Sequence, residues 1–201
     1  MPEDTFEKAK DIFNQQNGIL RTSQAKKLGI NEATLSRMTA AGLLTREGRG
    51  LYRLADLPPL SNPDFVKVAL RVPAGIVCLV SALNFHNLTT QIPYKVYLAL
   101  PRGTKSPQID YPPLEFIWPV ERIYSAGVEE HTMDGIKVKL YRKEKTIADC
   151  FKYRNKIGLS IALEALKDYI SQGSTNLELL RHYARIDKVE KIITPYVEAM
   201  L

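Results

Sequence analysis

The chain has 201 residues, of which 45% are hydrophobic and 25% charged, and its formal net charge is +6. This composition is typical of a globular protein and excludes long disordered segments. The excess of positive charge favours a polyanionic partner, but many basic proteins bind none, so the position of the charges along the chain matters more than their sum.

The sequence also predicts a compartment. The two cysteines, Cys78 and Cys150, stand far apart and form neither a disulfide framework nor a CxxC metal motif. The charged N-terminus, MPEDTFEKAK, lacks the apolar core of a signal peptide. The longest apolar run, residues 74–83, is well short of the roughly 20 residues that a membrane helix needs. We therefore expect a soluble cytoplasmic protein that inserts into no membrane.

The first part of the chain has the pattern of three short helices and a hairpin. Thr22 and Asn31 are placed to cap the second and third helices. Glycines follow each helix, and a Gly-x-Gly turn separates the two strands. The predicted elements are helices at residues 5–16, 23–28 and 31–41 and strands at residues 43–46 and 51–54. This order predicts a winged helix-turn-helix.

A proline-rich stretch follows the hairpin. The segment ADLPPLSNP, residues 55–63, holds three prolines in nine residues. Each proline disfavours a helix through itself and through the residue before it. The stretch is therefore the best candidate for a boundary, and it predicts one domain at residues 1–57 and a second at residues 58–201.

The rest of the chain mixes strand and helix patterns. Asp187 and Glu190 are placed to cap the last helix. The predicted elements are helices at residues 65–72 and 81–88, buried strands at 96–100 and 114–118, a hairpin around Met133-Asp134-Gly135, and helices from residue 144 onward. The predicted fold class is α+β, with an N-terminal winged helix-turn-helix followed by a mixed α/β domain that ends in several helices.

The third helix has a face suited to a DNA groove. Leu35 and Met38 are three residues apart and must both face the core. The opposite face then carries Ala33, Ser36, Arg37 and Ala40, with threonines at its flanks. Small side chains let a helix approach the floor of the major groove, and arginine binds guanine through two hydrogen bonds.

Most of the net charge lies in the same region. Residues 21–53 carry seven lysines and arginines against two glutamates. Arginines on the hairpin are placed to contact phosphates or to enter the minor groove. The predicted DNA-binding residues are Thr22, Ser23, Lys26, Ala33, Thr34, Ser36, Arg37, Arg46, Arg49 and Arg53. The alternative is that these are solvated charges on the surface of a small helical domain.

Three stretches together point to a family. They are the winged segment, LVSALNFHNLTTQIP at residues 79–93, and RKEKTIADCFKYRNKIGLSIALEALKDY at residues 142–169. The third stretch is the most specific of the three. With them, nearly the whole chain resembles the AbiEi-type antitoxins of bacterial type IV toxin–antitoxin systems.

The resemblance implies a function for each part of the chain. In such proteins the winged domain binds inverted repeats in the promoter of its own operon and represses transcription. The C-terminal domain counteracts a nucleotidyltransferase-like toxin, often without forming a stable complex with it. These systems act in abortive phage infection or in the maintenance of mobile elements.

The resemblance also singles out a motif in the C-terminal part without assigning roles to its members. The motif consists of Lys145, Thr146, Asp149, Lys152, Arg154, Asn155 and Lys156. Ordinary structural roles are the alternative. Asp149 is spaced to form a helix-surface pair with Lys145 or Lys152, and Thr146 could cap a helix.

Nothing in the sequence predicts an enzyme. His86, His131 and His182 are scattered, so we expect no metal site. Cys150 follows the spacing of a buried face and is expected to be a packed thiol. We expect no catalytic residue and no cofactor. Two other functions stay open, namely a stand-alone transcriptional regulator with a ligand-sensing C-terminal domain, and an interaction protein whose winged domain binds protein.

Overall fold

A computed structural model of the protein describes residues 2–173 and 175–201. Its N-terminal part, residues 2–57, contains α1 (Pro2–Gln15), β1 (Ile19–Arg21), α2 (Thr22–Lys27), α3 (Glu32–Ala40), β2 (Leu44–Gly48) and β3 (Leu51–Leu54). The strands form one sheet in the order β1-β3-β2. The predicted helices and hairpin are present, and the sheet includes a three-residue strand, β1, that the sequence pattern did not predict. Apart from β1, this is the element order that the sequence predicted.

The starts of α2 and α3 differ in how well the sequence predicted them. Asn31 Oδ1 accepts a hydrogen bond from the Thr34 amide at 2.8 Å, so the predicted cap of α3 is confirmed. The prediction that Thr22 caps α2 is wrong, because Arg21 occupies the cap position. Thr22 is the first residue of the helix, and its amide donates to the Gly50 carbonyl at 2.9 Å. That bond fixes α2 to the hairpin.

One apolar cluster holds the helices and the sheet of the N-terminal part together. Leu35 and Met38 of α3 lie in it without exposed surface, as predicted. The other buried members are Ala9, Phe13, Leu20, Ala25, Ile30, Leu44 and Leu54. Because this cluster fixes the inner side of α3, it also fixes which side chains of α3 point outward.

The C-terminal part, residues 58–201, contains a mixed five-stranded sheet. Its strands are β4 (Ile76–Val77), β5 (Val96–Ala99), β6 (Leu114–Ile117), β7 (Val128–Met133) and β8 (Ile136–Tyr141), in the order β6-β5-β4-β8-β7. β4 runs parallel to β8 and β5 parallel to β6, while the other pairs are antiparallel. The helices are α4 (Pro63–Arg71), α5 (Leu79–Phe85), α6 (Glu121–Tyr124), α7 (Lys143–Lys152), α8 (Arg154–Ile157), α9 (Leu159–Ser171), α10 (Leu177–Asp187) and α11 (Glu190–Met200).

The hairpin of β7 and β8 follows from two residues of the sequence. Asp134 and Gly135 form its turn, with φ angles of 50° and 78°. Met133 and Ile136 are paired directly on either side of them. Positive φ at both central residues is what a tight two-residue hairpin requires, and Asp-Gly supplies it at low cost. The predicted hairpin is confirmed.

Helix α7 is central to the C-terminal part. It contacts α5, α9, α10 and α11, and Ile147, Ala148, Cys150 and Phe151 are buried along it. Burial also raises the pKa of the Cys150 thiol, which agrees with the predicted packed thiol.

The two sheets and the helices around them confirm the predicted α+β fold class. Of the helices that the structure describes, none combines the length and the apolarity needed to cross a bilayer.

A second apolar cluster joins the two parts of the chain. Ile19 and Leu51 of the small sheet are buried together with Val66 of α4 and Leu140 of β8. A hydrogen bond of 2.9 Å from Asn17 Nδ2 to the Gly135 carbonyl also crosses between the parts. The back of the small sheet is therefore packed against the C-terminal part. The division into domains at residue 57 stays a prediction.

Candidate nucleic-acid interface

The outer face of α3 is open to solvent. Ala33, Ser36, Arg37 and Ala40 are all exposed. They project from the side of the helix opposite Leu35, which is completely buried. The C-terminal part packs behind the small sheet and leaves this face uncovered. A helix that enters a DNA groove needs such a free face.

Thr34 is the exception among the predicted contact residues of α3. It is only 3% exposed, and it lies beside α1. Its amide is bound to the Asn31 cap, and its hydroxyl accepts a hydrogen bond from Arg37 Nη2 at 3.4 Å. The angular spacing placed Thr34 at the flank of the helix, but the contact with α1 covers that flank. In this structure Thr34 is not accessible to a groove.

Arg37 leans back along its own helix. Its Nε donates to the Ala33 carbonyl at 3.4 Å, and its guanidinium carbon lies 6.0 Å from the centre of the Phe6 ring in α1. Within residues 2–173 and 175–201, no ion pair includes Arg37. A cation–π contact at an exposed site is worth only about 0.5–1 kcal/mol. A change of rotamer toward a base is therefore inexpensive.

Of the three predicted DNA-binding residues of helix α2, two are exposed to solvent. Ser23 and Lys26 are exposed, and Thr22 is half-buried. Lys26 forms an ion pair with Glu32 at the start of α3, and both side chains are more than half exposed. Exposed pairs of this kind contribute little. Lys26 is therefore able to exchange its partner for a phosphate.

We call the hairpin of β2 and β3, residues 44–54, the wing. Two of its three arginines that were predicted to bind DNA are exposed to solvent. Arg46 and Arg49 are exposed. Arg53 is only 7% exposed, and its Nη2 donates to the Pro58 carbonyl. Arg53 is two residues from Leu51, so both side chains leave β3 on the face that packs against the C-terminal part. Arg53 is thus a buried link to the proline-rich segment, although it was predicted to contact DNA.

The wing is anchored to α4. Lys67 Nζ lies 3.3 Å from Glu47 Oε2, and Arg71 donates to the Arg49 carbonyl at the tip of the wing. A further bond joins the end of β1 to α4, where Arg21 Nη1 donates to the Leu70 carbonyl at 3.0 Å. Sequence reasoning missed Lys67 and Arg71 because no local pattern indicates that α4 lies against the wing.

Three of the seven residues of the C-terminal motif, Lys145, Thr146 and Asp149, are buried. Lys145 Nζ forms an ion pair with Asp149 and a second with Asp187 of α10, at 3.2 Å. All three side chains are at most 1% exposed. Thr146 Oγ1 donates to the Tyr141 carbonyl at 3.1 Å. The suggestion of a helix-surface pair is therefore wrong, because the pair lies in the interior and a third group completes it. We call Lys145, Asp149 and Asp187 the buried ionic cluster.

The buried ionic cluster contains more carboxylates than cations. Burial raises the pKa of Asp149 to about 8, and Asp187 adds to this while Lys145 opposes it. Burial alone would lower the pKa of Lys145, but the two carboxylates outweigh it and raise that pKa. Asp149 Oδ2 has no hydrogen-bond partner in the part of the chain that is described. A proton on Asp149 balances the charge of the cluster.

The raised pKa predicts that stability falls as the pH rises from the ordinary value of 3.8 toward the folded value of about 8. The folded protein keeps a proton on Asp149 that the unfolded chain, with an ordinary pKa of 3.8, has released. Well below the folded pKa, each pH unit then costs up to about 1.4 kcal/mol of unfolding free energy. Urea denaturation across this range measures the slope, and we expect Asp149→Asn to flatten it. An equal slope in that variant would show that Asp149 does not titrate there.

The other four residues of the motif lie nearer the surface. Lys152 Nζ donates to the Asp187 carbonyl at 3.1 Å, and Arg154 Nη1 donates to the Phe151 carbonyl at 2.9 Å. Asn155 and Lys156 are exposed, and Lys156 pairs with Glu115 at 2.5 Å. The motif is therefore not one site. It divides into a buried group that holds α7 to α10 and an accessible group of Arg154, Asn155 and Lys156. We call this accessible group the basic corner.

The winged elements match a known family. Residues 7–55 match the family model described as transcriptional regulator, AbiEi antitoxin. The match extends from α1 to the end of the wing, so it includes both α3 and the exposed wing arginines. It confirms the predicted resemblance to AbiEi-type antitoxins over these residues, and that family is one of regulators and antitoxins. No curated protein matches the chain significantly.

Proposed function

We propose that this protein is the antitoxin and transcriptional autorepressor of a type IV toxin–antitoxin operon. In this proposal the N-terminal part binds inverted repeats in the operon's own promoter. The observation that carries it is the uncovered face of α3, with small residues around Arg37, in the segment that matches a family of regulators. The proposal also makes the protein cytoplasmic and its first partner double-stranded DNA.

The chemistry of the exposed face suits the major groove. Ala33 and Ala40 allow close approach and can touch a thymine methyl group. Ser36 can donate to or accept from base edges, and Arg37 can bind guanine through two hydrogen bonds once it leaves the Phe6 ring. Arg46, Arg49, Ser23 and Lys26 lie on the flanking elements, where contacts to phosphates fix the register of a bound helix.

Footprinting on the DNA upstream of the gene tests this function. We expect protection of two inverted sequences whose centres lie a whole number of helical turns apart, about 10 base pairs or a multiple, because two copies then bind one face of the duplex. Protection without inverted symmetry would contradict the autorepressor model. Absence of protection would favour an interaction protein whose winged part binds protein.

The C-terminal part is proposed to counteract a nucleotidyltransferase-like toxin. The basic corner of Arg154, Asn155 and Lys156 is the accessible end of the motif and the place to look for that activity. Neutralisation does not require a stable complex, and no catalytic group or cofactor is assigned to it.

Repression and neutralisation are expected to separate in single variants. Co-expression of the full chain with a nucleotidyltransferase-like neighbour should restore growth, and Arg37→Ala should restore it equally while releasing the promoter. Lys156→Glu, which reverses a charge in the basic corner, should do the opposite. Colony counts and a promoter reporter in the same strains measure both effects. Loss of both functions in each variant would contradict the division of labour.

The alternative is a stand-alone regulator whose C-terminal part senses a ligand. A cleft of about 230 Å³ between α4, α5 and the start of β5 favours it, since Asp64, Asn84 and Lys95 supply polar groups there. Its volume is below the roughly 300–1,000 Å³ of common ligand pockets, so we prefer the antitoxin. A promoter released by a small metabolite, with no toxic neighbour, would favour the sensor.

A further inference from the structure

A cleft of about 270 Å³ lies where α2, the tip of the wing and α4 meet. Three arginines line it, namely Arg21 at the end of β1, Arg49 at the tip of the wing and Arg71 at the end of α4, together with Thr22, Ser23 and Gly50. Two of the arginines belong to the N-terminal part, and Arg71 belongs to the C-terminal part. We call the three side chains and the space between them the arginine notch.

The arginines at the two sides of the notch are held in place across the junction between the parts. Arg21 Nη1 donates to the Leu70 carbonyl at 3.0 Å, and Arg71 Nη1 donates to the Arg49 carbonyl. A guanidinium carries five N–H donors, so one bond to a carbonyl fixes its position and leaves the other donors for a ligand. The notch is thus a preorganised set of donors.

The charge of the notch is not neutralised by the protein. Among residues 2–173 and 175–201, no carboxylate forms an ion pair with Arg21, Arg49 or Arg71. The nearby Glu47 is already paired with Lys67 at 3.3 Å. Converging guanidinium groups repel one another until an anion joins them, and the planar guanidinium fork matches the oxygens of a phosphate.

We propose that the arginine notch binds a phosphate group of the DNA backbone, which makes Arg71 of the C-terminal part a DNA-binding residue. This inference rests on the proposed function and extends it beyond the N-terminal part. In a helix-turn-helix the first helix of the pair crosses the backbone while the second lies in the major groove. The notch lies at the start of α2 and at the wing tip, where that backbone passes.

The notch also explains why the wing is fixed to α4. A free wing would lose conformational freedom on binding, and that loss weakens association. The bond from Arg71 to the Arg49 carbonyl holds the wing tip before DNA arrives. The C-terminal part therefore both contributes a cation and sets the position of the wing.

Titration of promoter DNA with full-length variants of Arg71 tests the notch. Arg71→Gln keeps an N–H donor for the Arg49 carbonyl but removes the charge. One lost phosphate contact lowers the slope of the logarithm of affinity against the logarithm of salt concentration by about 0.9. It lowers the affinity at 0.1 M salt by about eightfold, on promoter and unrelated DNA alike. Arg71→Lys, which keeps the charge, should stay within about threefold of wild type. Arg181→Ala, an exposed arginine on α10, is the control and should change nothing.

The outcomes distinguish the notch from the proposed function. If Arg71→Gln keeps the wild-type slope while Arg37→Ala weakens promoter binding, the notch is overturned and the function stands. A second arm titrates inorganic phosphate into the protein without DNA and follows the guanidinium resonances by NMR. A response of wild type that Arg71→Gln lacks, together with the loss of slope, supports the notch. A phosphate response in a protein that binds no DNA overturns the assignment to DNA and leaves a site for free phosphate.

Discussion

We expect the Lys145→Met variant to unfold with a free energy about 3–5 kcal/mol below that of the wild type. Lys145 is completely buried and is the only cation within ion-pair distance of Asp149 and Asp187 among the described residues. Its removal leaves the carboxyl groups of Asp149 and Asp187 in the interior with no cation beside them, so the one negative charge that they carry between them is unpaired. Burying an unpaired charge costs far more than the lost packing of one side chain, so the electrostatic effect decides the outcome.

A matched lysine on the same helix separates this effect from the loss of any lysine. Lys143 is half-buried on α7, and its Nζ donates to Gln172 at 3.1 Å. Lys143→Met should therefore change the unfolding free energy by less than about 1 kcal/mol. Adding Asp187→Asn to Lys145→Met should restore part of the stability, because the carboxylate left without a countercharge is then replaced by a neutral amide.

Urea denaturation followed by circular dichroism measures these differences. A cost below about 1 kcal/mol for Lys145→Met would mean that the buried ionic cluster does not hold α7 to α10. The side chains of the motif would then be free for another role, and the structural interpretation of Lys145 and Asp149 would have to be given up.

The second large effect concerns DNA. We expect Arg37→Ala to weaken binding to the promoter by about 10–100-fold more than binding to unrelated DNA, since a bidentate arginine–guanine contact contributes roughly 1–3 kcal/mol of discrimination. Arg37 is exposed on α3, and alanine is a good helix former, so the fold should be retained. The free protein loses only the 3.4 Å contacts within α3 and the Phe6 contact.

Unrelated DNA of equal length shows whether Arg37 reads bases. Loss of one charge alone weakens binding to any sequence by about eightfold at 0.1 M salt. A base contact adds a further loss on the promoter only. The ratio of the affinity for the promoter to the affinity for unrelated DNA should therefore fall. Lys8→Ala, which removes an exposed charge from α1, should leave that ratio unchanged. A constant ratio in Arg37→Ala would show that Arg37 contacts phosphate rather than a base.

Local patterns were enough to predict the three helices and the hairpin of the N-terminal part, but not strand β1. The apolar spacing of Leu35 and Met38 sets the inner side of α3, and glycines end the predicted helices, so the element order follows from neighbours in sequence. The Asp134-Gly135 hairpin was predictable for the same reason, since both residues tolerate the positive φ of the turn. Such features depend on contacts within a few residues.

Long-range contacts explain what the sequence did not reveal. Arg53 was predicted to contact DNA, but it is buried. The alternation of side chains along a strand shows which residues lie on the same face. It does not show that the C-terminal part covers that face. Asp187 was predicted to cap the last helix, yet it pairs with Lys145, 42 residues away. Arg71 shows no local sign of its bond to the wing tip. No periodicity within one element carries that information.

In the proposed function, the exposed face of α3 enters a groove of the protein's own promoter. Titration of the full-length wild type with that DNA, between about 50 and 200 mM salt, tests it most directly. We expect tight binding at the low end and a straight, steep fall of the logarithm of affinity against the logarithm of salt concentration. No association at about 50 mM salt, or an affinity indifferent to salt, would contradict the claim.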